Sequence, residues 1–180
     1  NDPPHRQKGT DYSDDKWGKI PDRSNVSPHS QAMIEALDKS VGSILETLKR
    51  LNLEENTLVF FASDNGGYRN YAGGFENISS NGPLRGIKRD LYEGGIRVPL
   101  IARWPGKVAP NTTSDHISAF WDFLPTAAAI AGAATPEGLD GLSYLPTLLG
   151  DSAKQQEHDY LYWEFTEQGG RQGIREGDWK

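Results

Sequence analysis

No cysteine occurs among the 180 residues, so neither a disulfide, a thiolate metal ligand nor a cysteine nucleophile can form within the chain. The redox compartment is therefore not legible. No hydrophobic run approaches the roughly 20 residues that a membrane-spanning helix needs. The opening residues Asn1-Asp2-Pro3-Pro4-His5-Arg6 lack the apolar core of a secretory signal, and without an initiator Met the true start of the reading frame is expected elsewhere. Basic residues are the minority, 19 Lys and Arg against 25 Asp and Glu, for a formal charge of -6. That balance argues against a general nucleic-acid or anionic-membrane surface, which needs Lys and Arg clustered over a broad face; a single local anion pocket stays compatible with it. What is present, 36% hydrophobic and 10% aromatic residues, is enough for one ordinary globular domain.

Residues 1–29 are polar and aperiodic and are expected to form an irregular surface segment. From Ser30, a candidate N-cap, the pattern turns helical. Met33, Leu37, Val41, Ile44 and Leu48 recur at spacings of three and four, Ile34, Ala36 and Leu45 widen the stripe, and Asn52 lies where the helix should end. An apolar run over residues 57–62 follows and reads as a strand buried on both faces. Residues 66–82 form a long loop rich in Gly, Asn and Ser. Val98 to Trp104 is a second strand candidate, with Pro99 confined to its start, and residues 116–120 a third. Asp122 is placed to cap a helix over residues 123–131 that Gly132 closes. Residues 142–149 form a short amphipathic stretch and residues 151–159 a polar linker. Tyr160, Tyr162, Trp163 and Phe165 mark an aromatic strand packing against a helix, with a hairpin partner opening at Gly173. No internal repeat is found.

Two segments carry chemistry. Ser63-Asp64-Asn65-Gly66-Gly67 closes the first strand with a Gly pair, which delivers Asp64 and Asn65 at a strand's carboxyl end, where ligands bind in open α/β sheets. A carboxylate beside a carboxamide offers hard oxygen donors, suited to calcium or magnesium; the plain alternative is an Asx turn. The second segment carries Arg85, Lys88, Arg89, Arg97 and Arg103 against Asp90 and Glu93, a basic excess in an acidic chain. A Lys in a Gly-flanked loop contacts anions as a point charge; the alternative is a solvated basic face. Gly94-Gly95 argue against a helix there, and hence against an i,i+4 pair between Glu93 and Arg97, which are expected instead to buttress the Lys88 loop.

Together, Ser63-Asp64-Asn65-Gly66, Pro83-Leu84-Arg85-Gly86-Ile87-Lys88 and Leu91-Tyr92-Glu93-Gly94-Gly95-Ile96-Arg97-Val98-Pro99, in that order and spacing, resemble the carboxyl-terminal part of the catalytic domain of a type I sulfatase (arylsulfatase). The likeness runs from residue 30 to 180 and takes in Arg103-Trp104-Pro105-Gly106-Lys107, Asp122-Phe123-Leu124-Pro125-Thr126, Leu139-Asp140-Gly141 and Gly177-Asp178-Trp179-Lys180. It implies an α/β, alkaline-phosphatase-like sandwich with a mostly parallel sheet between helices, residues 30–150 belonging to the catalytic domain and 151–180 opening a small antiparallel subdomain. It implies Asp64 and Asn65 as ligands of one calcium ion and Lys88 as a catalytic residue contacting the substrate sulfate, the substrate being a small-molecule or glycan sulfate ester. An exported setting, periplasmic, secreted or lysosomal, is implied in the same way.

The family's nucleophile is a formylglycine made in a Cys/Ser-x-Pro-x-Arg motif, and no such motif stands in these residues. A fragment truncated at both ends accounts for that. Asp14-Asp15 is a solvated carboxylate pair rather than the family's amino-terminal metal pair, and Pro4-His5 lacks the flanks of the family's upstream His. His29, His116 and His158 have no partner at metal-ligand spacing. Two alternatives stand beside sulfuric ester hydrolysis. One is a phosphodiester or phosphonate hydrolase of the alkaline phosphatase superfamily, against which Asn65 speaks, since zinc-dependent members carry His there. The other is a catalytically incomplete calcium- or anion-binding fragment, because two ligands fall short of the six to eight oxygens calcium takes. The isolated segment is accordingly expected to bind calcium weakly and to hydrolyse nothing.

Overall fold

The structure, a computed structural model, describes residues 26–67, 81–166 and 169–180. Asp14-Asp15, His5 and most of the loop 66–82 lie outside the described residues. Two compact units are present, Asn1–Glu54 with Ala62–Leu100 and Glu55–Phe61 with Ile101–Lys180.

In the first unit, helix α1 runs Val26–Arg50. It begins four residues before the expected Ser30, so residues 26–29 are helical; Pro28 is accommodated because first-turn N–H groups have no intrahelical acceptor anyway. The carboxyl end is a Schellman motif. Asn52 takes a left-handed φ of 55°, with Leu53 N–H donating to Leu48 O at 2.9 Å and Asn52 N–H to Lys49 O at 3.0 Å. Met33, Ala36, Val41, Leu45 and Leu48 are half-buried, whereas Ile34, Leu37 and Ile44 are exposed. The expected stripe is thus covered along only one of its edges.

Helix α2, Glu93–Ile96, is a single turn containing Gly94 and Gly95, both buried. Sequence propensity spoke against it, and packing decided otherwise. Arg97 N–H donates to Glu93 O at 2.8 Å, and the side chains form the i,i+4 ion pair at 4.0 Å that the glycines had argued against. The glycines stand in the turn because its neighbours leave no room for a Cβ, as described below.

Strands β1 (Val59–Ala62) and β2 (Leu100–Arg103) pair, and all but Ala62 and Leu100 of their residues belong to the second unit. Both are shorter than the apolar runs that mark them, and Pro99 lies just before β2, where its missing donor breaks no ladder bond. Trp104 Nε1 donates to Glu55 O at 2.9 Å, fixing the segment before β1. Phe60 meets Phe123 and Tyr144 edge-on, with ring centroids 5.9 and 6.0 Å apart, the geometry that the ring quadrupole favours.

The expected strand at 116–120 is absent. Residues 112–119 have no regular structure and lead into a 3-10 turn, Phe120–Asp122, and helix α3, Phe123–Ala131. Gly132 ends α3 at φ 65°, as its place in the sequence implies. Asp122 precedes α3 but makes no side-chain cap to it. Its carboxylate, only 1% exposed, instead accepts from Ala119 N–H at 2.7 Å, Leu142 N–H at 2.8 Å and the His158 ring at 2.8 Å. Buried Thr126 extends this network, donating to Asp122 O and accepting from Tyr144 N–H.

Helix α4 is confined to Leu145–Leu148. Residues 151–159, polar enough to read as a linker, are tied down. Gln155 Oε1 accepts from Thr147 N–H and Oγ1, Gln155 Nε2 donates to Ser143 O, and His158 reaches Asp122. Strands β3 (Leu161–Phe165) and β4 (Arg171–Arg175) form an antiparallel hairpin with Leu161 opposite Arg175 and Phe165 opposite Arg171. Side chains alternate across it. Leu161 is buried and Trp163 and Phe165 half-buried, while Tyr160 and Tyr162 of the expected packing cluster are exposed. Trp163 lies 6.0 Å from Trp121.

Candidate functional site

Asp64, Asn65 and Lys88 all belong to the first unit. The turn after β1 is closed by Ser63 Oγ, which donates to Asn65 O at 2.7 Å. Asn65 Nδ2 donates to Gly66 O at 3.0 Å, which leaves its amide oxygen available. The Asx-turn reading therefore fails at Asp64: its carboxylate is exposed and accepts no hydrogen bond from the described residues. Lys88 is likewise exposed, and its ammonium has no partner among the described residues.

Backbone contacts bring the two segments together. Gly66 N–H donates to Gly95 O at 2.9 Å, Gly94 N–H to Arg85 O at 2.7 Å and Lys88 N–H to Gly67 O at 3.1 Å. The approach is close enough that only glycine fits. A Cβ on Gly66 would fall on the Gly94 carbonyl, one on Gly94 on the Gly86 carbonyl, and one on Gly95 on the Asp90 carbonyl, every obstacle being backbone. Glycine is the residue that permits such packing.

Lys88 sits in a turn with its own constraint. Asp90 Oδ2 accepts from Ile87 N–H at 3.0 Å, Asp90 N–H donates to Ile87 O at 2.9 Å, and Arg89 between them adopts φ 82°. A left-handed conformation costs a non-glycine residue about 1–2 kcal/mol, and such conformations gather where the surrounding structure imposes them, functional sites included. Arg85, three residues before Lys88, stacks on the Tyr92 ring at 3.8 Å, which occupies that guanidinium, while Lys88 and Arg89 are both exposed in the turn.

Asn81, which sequence reasoning passed over as part of a loop, connects these parts. Its Oδ1 accepts from Gly67 N–H at 2.7 Å, and its Nδ2 donates to Gly67 O at 3.2 Å and Gly86 O at 3.0 Å. The only sequence signal was the Asn81-Gly82 dipeptide, a general turn marker. Among the described residues no group of three or more His, Asp or Glu gathers at metal-ligand distance. The donor set of Asp64 and Asn65 fits a hard divalent cation in kind, two oxygens without competing partners, and calls for further oxygens to complete it.

A second polar cluster lies in the second unit, around Asp122. Burial pushes the His116 imidazole below its ordinary value of 6.5, against the charges of Asp122 and Glu157, which raise it, and with a further lowering by His158. Burial and the Asp122 charge hold the Tyr144 phenol above its usual value. A concavity of about 950 Å³ is lined there by Trp121, Asp140, Glu157, His158, Tyr160 and Tyr162 among others. None of the residues expected from the sequence to form the site lines it.

The family model described as Sulfatase matches residues 2–133, and the model described as N-sulphoglucosamine sulphohydrolase, C-terminal, matches residues 87–180. The chain belongs to the sulfatase family. Steryl-sulfatase of Rattus norvegicus is 40% identical over 133 residues, covering 72% of this chain and 23% of that protein. Among solved structures, Ps i-CgsB in complex with k-i-k-neocarrahexaose aligns with a TM-score of 0.73 at 31% identity, over 87% of this chain and 34% of that one. The phosphonate monoester hydrolase of Agrobacterium radiobacter aligns with a TM-score of 0.57 at 26% identity, over 74% of this chain and 24% of that one. The fold is thus of the alkaline-phosphatase-like α/β class, with a small antiparallel sheet towards the carboxyl end. The chain spans about a quarter to a third of the length of these relatives.

Proposed function

We propose that this chain supplies one side of the active site of a sulfuric ester hydrolase acting on a small-molecule or glycan sulfate. Asp64 and Asn65 offer oxygens to a calcium ion, and Lys88 contacts the sulfate. The observation that carries this reading is the lock between residues 63–67 and the Lys88 turn, made by Gly66, Gly94 and Asn81. It holds the oxygens of Asp64 and Asn65 and the Lys88 ammonium, all without partners among the described residues, on segments bonded to each other. Such an arrangement suits an anion bridging a cation and a fixed positive group.

A bound calcium would supply positive charge opposite the sulfate oxygens. The chain's own part is to bind and orient. Lys88 pairs with a sulfate oxygen as a point charge, its position set by the 87–90 turn. The backbone hydrogen bonds from Gly66 N–H to Gly95 O and from Lys88 N–H to Gly67 O tie the Ser63–Asn65 turn to the Lys88 segment. The nucleophile expected of the family, a formylglycine, is not formed from any of these residues. The domain division at residues 30 and 150, and an exported setting, rest on family resemblance.

In the full-length protein, Asp64→Ala and Asn65→Ala should each cut aryl sulfate turnover and weaken calcium binding. Lys88→Ala should lower kcat/KM by about 100- to 1,000-fold, the usual effect of losing one stabilising contact to the reacting group. Hydrolysis of 4-methylumbelliferyl sulfate and calorimetric calcium titration measure both effects. Wild-type turnover in all three variants would overturn the assignment. Faster hydrolysis of an aryl phosphonate monoester than of the sulfate would favour the phosphonate hydrolase reading that the Agrobacterium likeness brings with it.

A further inference from the structure

We infer that Asn81 is a positioning residue of this site, setting the spacing between the Asp64–Asn65 oxygens and the Lys88 ammonium; the inference rests on the site proposed above. Its carboxamide is bonded on both sides. Oδ1 and Nδ2 grip the N–H and the carbonyl of Gly67 at 2.7 and 3.2 Å, and Nδ2 also holds Gly86 O at 3.0 Å. Gly67 lies two residues after Asn65 and accepts from the Lys88 N–H. Gly86 lies two residues before Lys88 and adopts φ 93°. One planar amide therefore fastens the backbone on the metal-ligand side to the backbone on the sulfate-contacting side, without itself carrying charge into the site.

Only a carboxamide makes this set of bonds, because one end must accept an N–H while the other donates to two carbonyls. A carboxylate of the same shape keeps the bond to Gly67 N–H and turns both donations into oxygen–oxygen repulsions. A hydroxyl is too short to reach all three partners. The steric contacts at Gly66, Gly94 and Gly95 resist approach without holding direction; Asn81 adds three side-chain bonds to the backbone bonds from Gly66 N–H to Gly95 O and from Lys88 N–H to Gly67 O. Hydrogen bonds supply that direction.

The experiment is a double-mutant cycle in the full-length protein, with Asn81→Asp, Lys88→Ala and both together, read by kcat and KM on 4-methylumbelliferyl sulfate below the melting temperature of each variant. Displacing a catalytic contact by about 1 Å costs on the order of 100-fold, so Asn81→Asp should lower kcat/KM by about 10- to 100-fold. The same change in the Lys88→Ala background should have little further effect, because the residue acts through Lys88. A purely structural role would instead lower the melting temperature and leave the kinetics of the folded enzyme unchanged, or multiply independently with Lys88→Ala; either result overturns the inference. Asn81→Ser, which preserves a neutral side chain, serves in the same cycle should the Asp variant not fold, with the same expected and overturning results. If Lys88→Ala alone leaves turnover intact, the site reading fails first, and that outcome is separate from wild-type kinetics in Asn81→Asp beside a crippled Lys88→Ala.

Discussion

Replacing Gly94 by Ala is the sharpest test of the packing that joins the two segments. Intrinsic propensity favours the change, since Ala exceeds Gly by about 1 kcal/mol within a helix, and Gly94 lies in the α2 turn. The local contacts oppose it. The new Cβ would fall on the Gly86 carbonyl oxygen, and it would lie 2.7 Å from Arg85 O and 2.8 Å from Gly86 C, where ordinary contact begins at 3.4 Å. All three atoms are backbone, so no side chain can swing away. Relief requires α2 to withdraw from residues 85–86, which stretches the Gly94 N–H to Arg85 O bond of 2.7 Å and carries Gly95 O away from Gly66 N–H. Overpacking of this kind costs about 1–3 kcal/mol and the weakened hydrogen bond about 1 kcal/mol, so after the propensity gain a net loss of roughly 1–3 kcal/mol is expected. Activity should fall as well, by about 10-fold or more, because the Lys88 segment moves with α2.

Urea denaturation of the full-length protein, alongside kcat/KM on an aryl sulfate, reads both effects. Gly42→Ala in the middle of α1 is the internal control: a Cβ there meets nothing within 4 Å, so the same substitution should be neutral or stabilising by up to about 1 kcal/mol. If Gly94→Ala matches the wild type in stability and activity, or shifts stability in the same direction as Gly42→Ala, the lock described here is refuted.

Beyond the loss of turnover in Asp64→Ala, Asn65→Ala and Lys88→Ala and the coupling of Asn81 to Lys88, the second unit offers two further tests. Asp122→Asn keeps the shape of a buried side chain but places an amide nitrogen against N–H donors, since both oxygens accept from Ala119, Leu142 or His158. Thermal denaturation should report a loss of about 2–4 kcal/mol, and a change below about 0.5 kcal/mol would contradict the network. His116 gives a pH dependence of definite sign. Its folded-state pKa is lowered, chiefly by burial, so the unfolded chain takes up the proton first as pH falls. The stability it contributes is complete above pH 6.5 and is lost as pH falls from 6.5 towards the lowered value. His116→Gln should flatten that part of the stability profile, and an unchanged profile would remove His116 as its source.

Much of the local structure was legible because it depends on near neighbours in sequence. Gly132 at the end of α3, Asn52 at the end of α1, Pro99 before β2 and the aromatic strand at residues 161–165 all follow from backbone freedom and side-chain periodicity. Reading failed where a distant segment decided the outcome. The α2 turn forms around two glycines because Arg85 and Gly86 crowd Gly94, and Ile87 and Asp90 crowd Gly95, too closely for any side chain. Asp122 makes no cap to the helix it precedes because its carboxylate is taken up by Ala119, by Leu142 and by His158, 36 residues later. The segment 151–159 is polar, yet Gln155 and His158 use that polarity to dock. Ile34 and Ile44 belong to a helical stripe by spacing, and burial leaves them bare.

For the candidate site the division is the same. Sequence alone determined which groups are available: two hard oxygens after a strand, a lysine in a glycine-rich loop, no thiol anywhere, and a motif order that marks the sulfatase family. Those are properties of residue type and spacing, which survive without coordinates. The tertiary structure decided that the two segments are one object. Hydrogen bonds from Asn81 and close backbone contacts at Gly66, Gly94 and Gly95 join residues far apart in the chain, and neither distance nor the direction of a hydrogen bond is encoded in the spacing of letters.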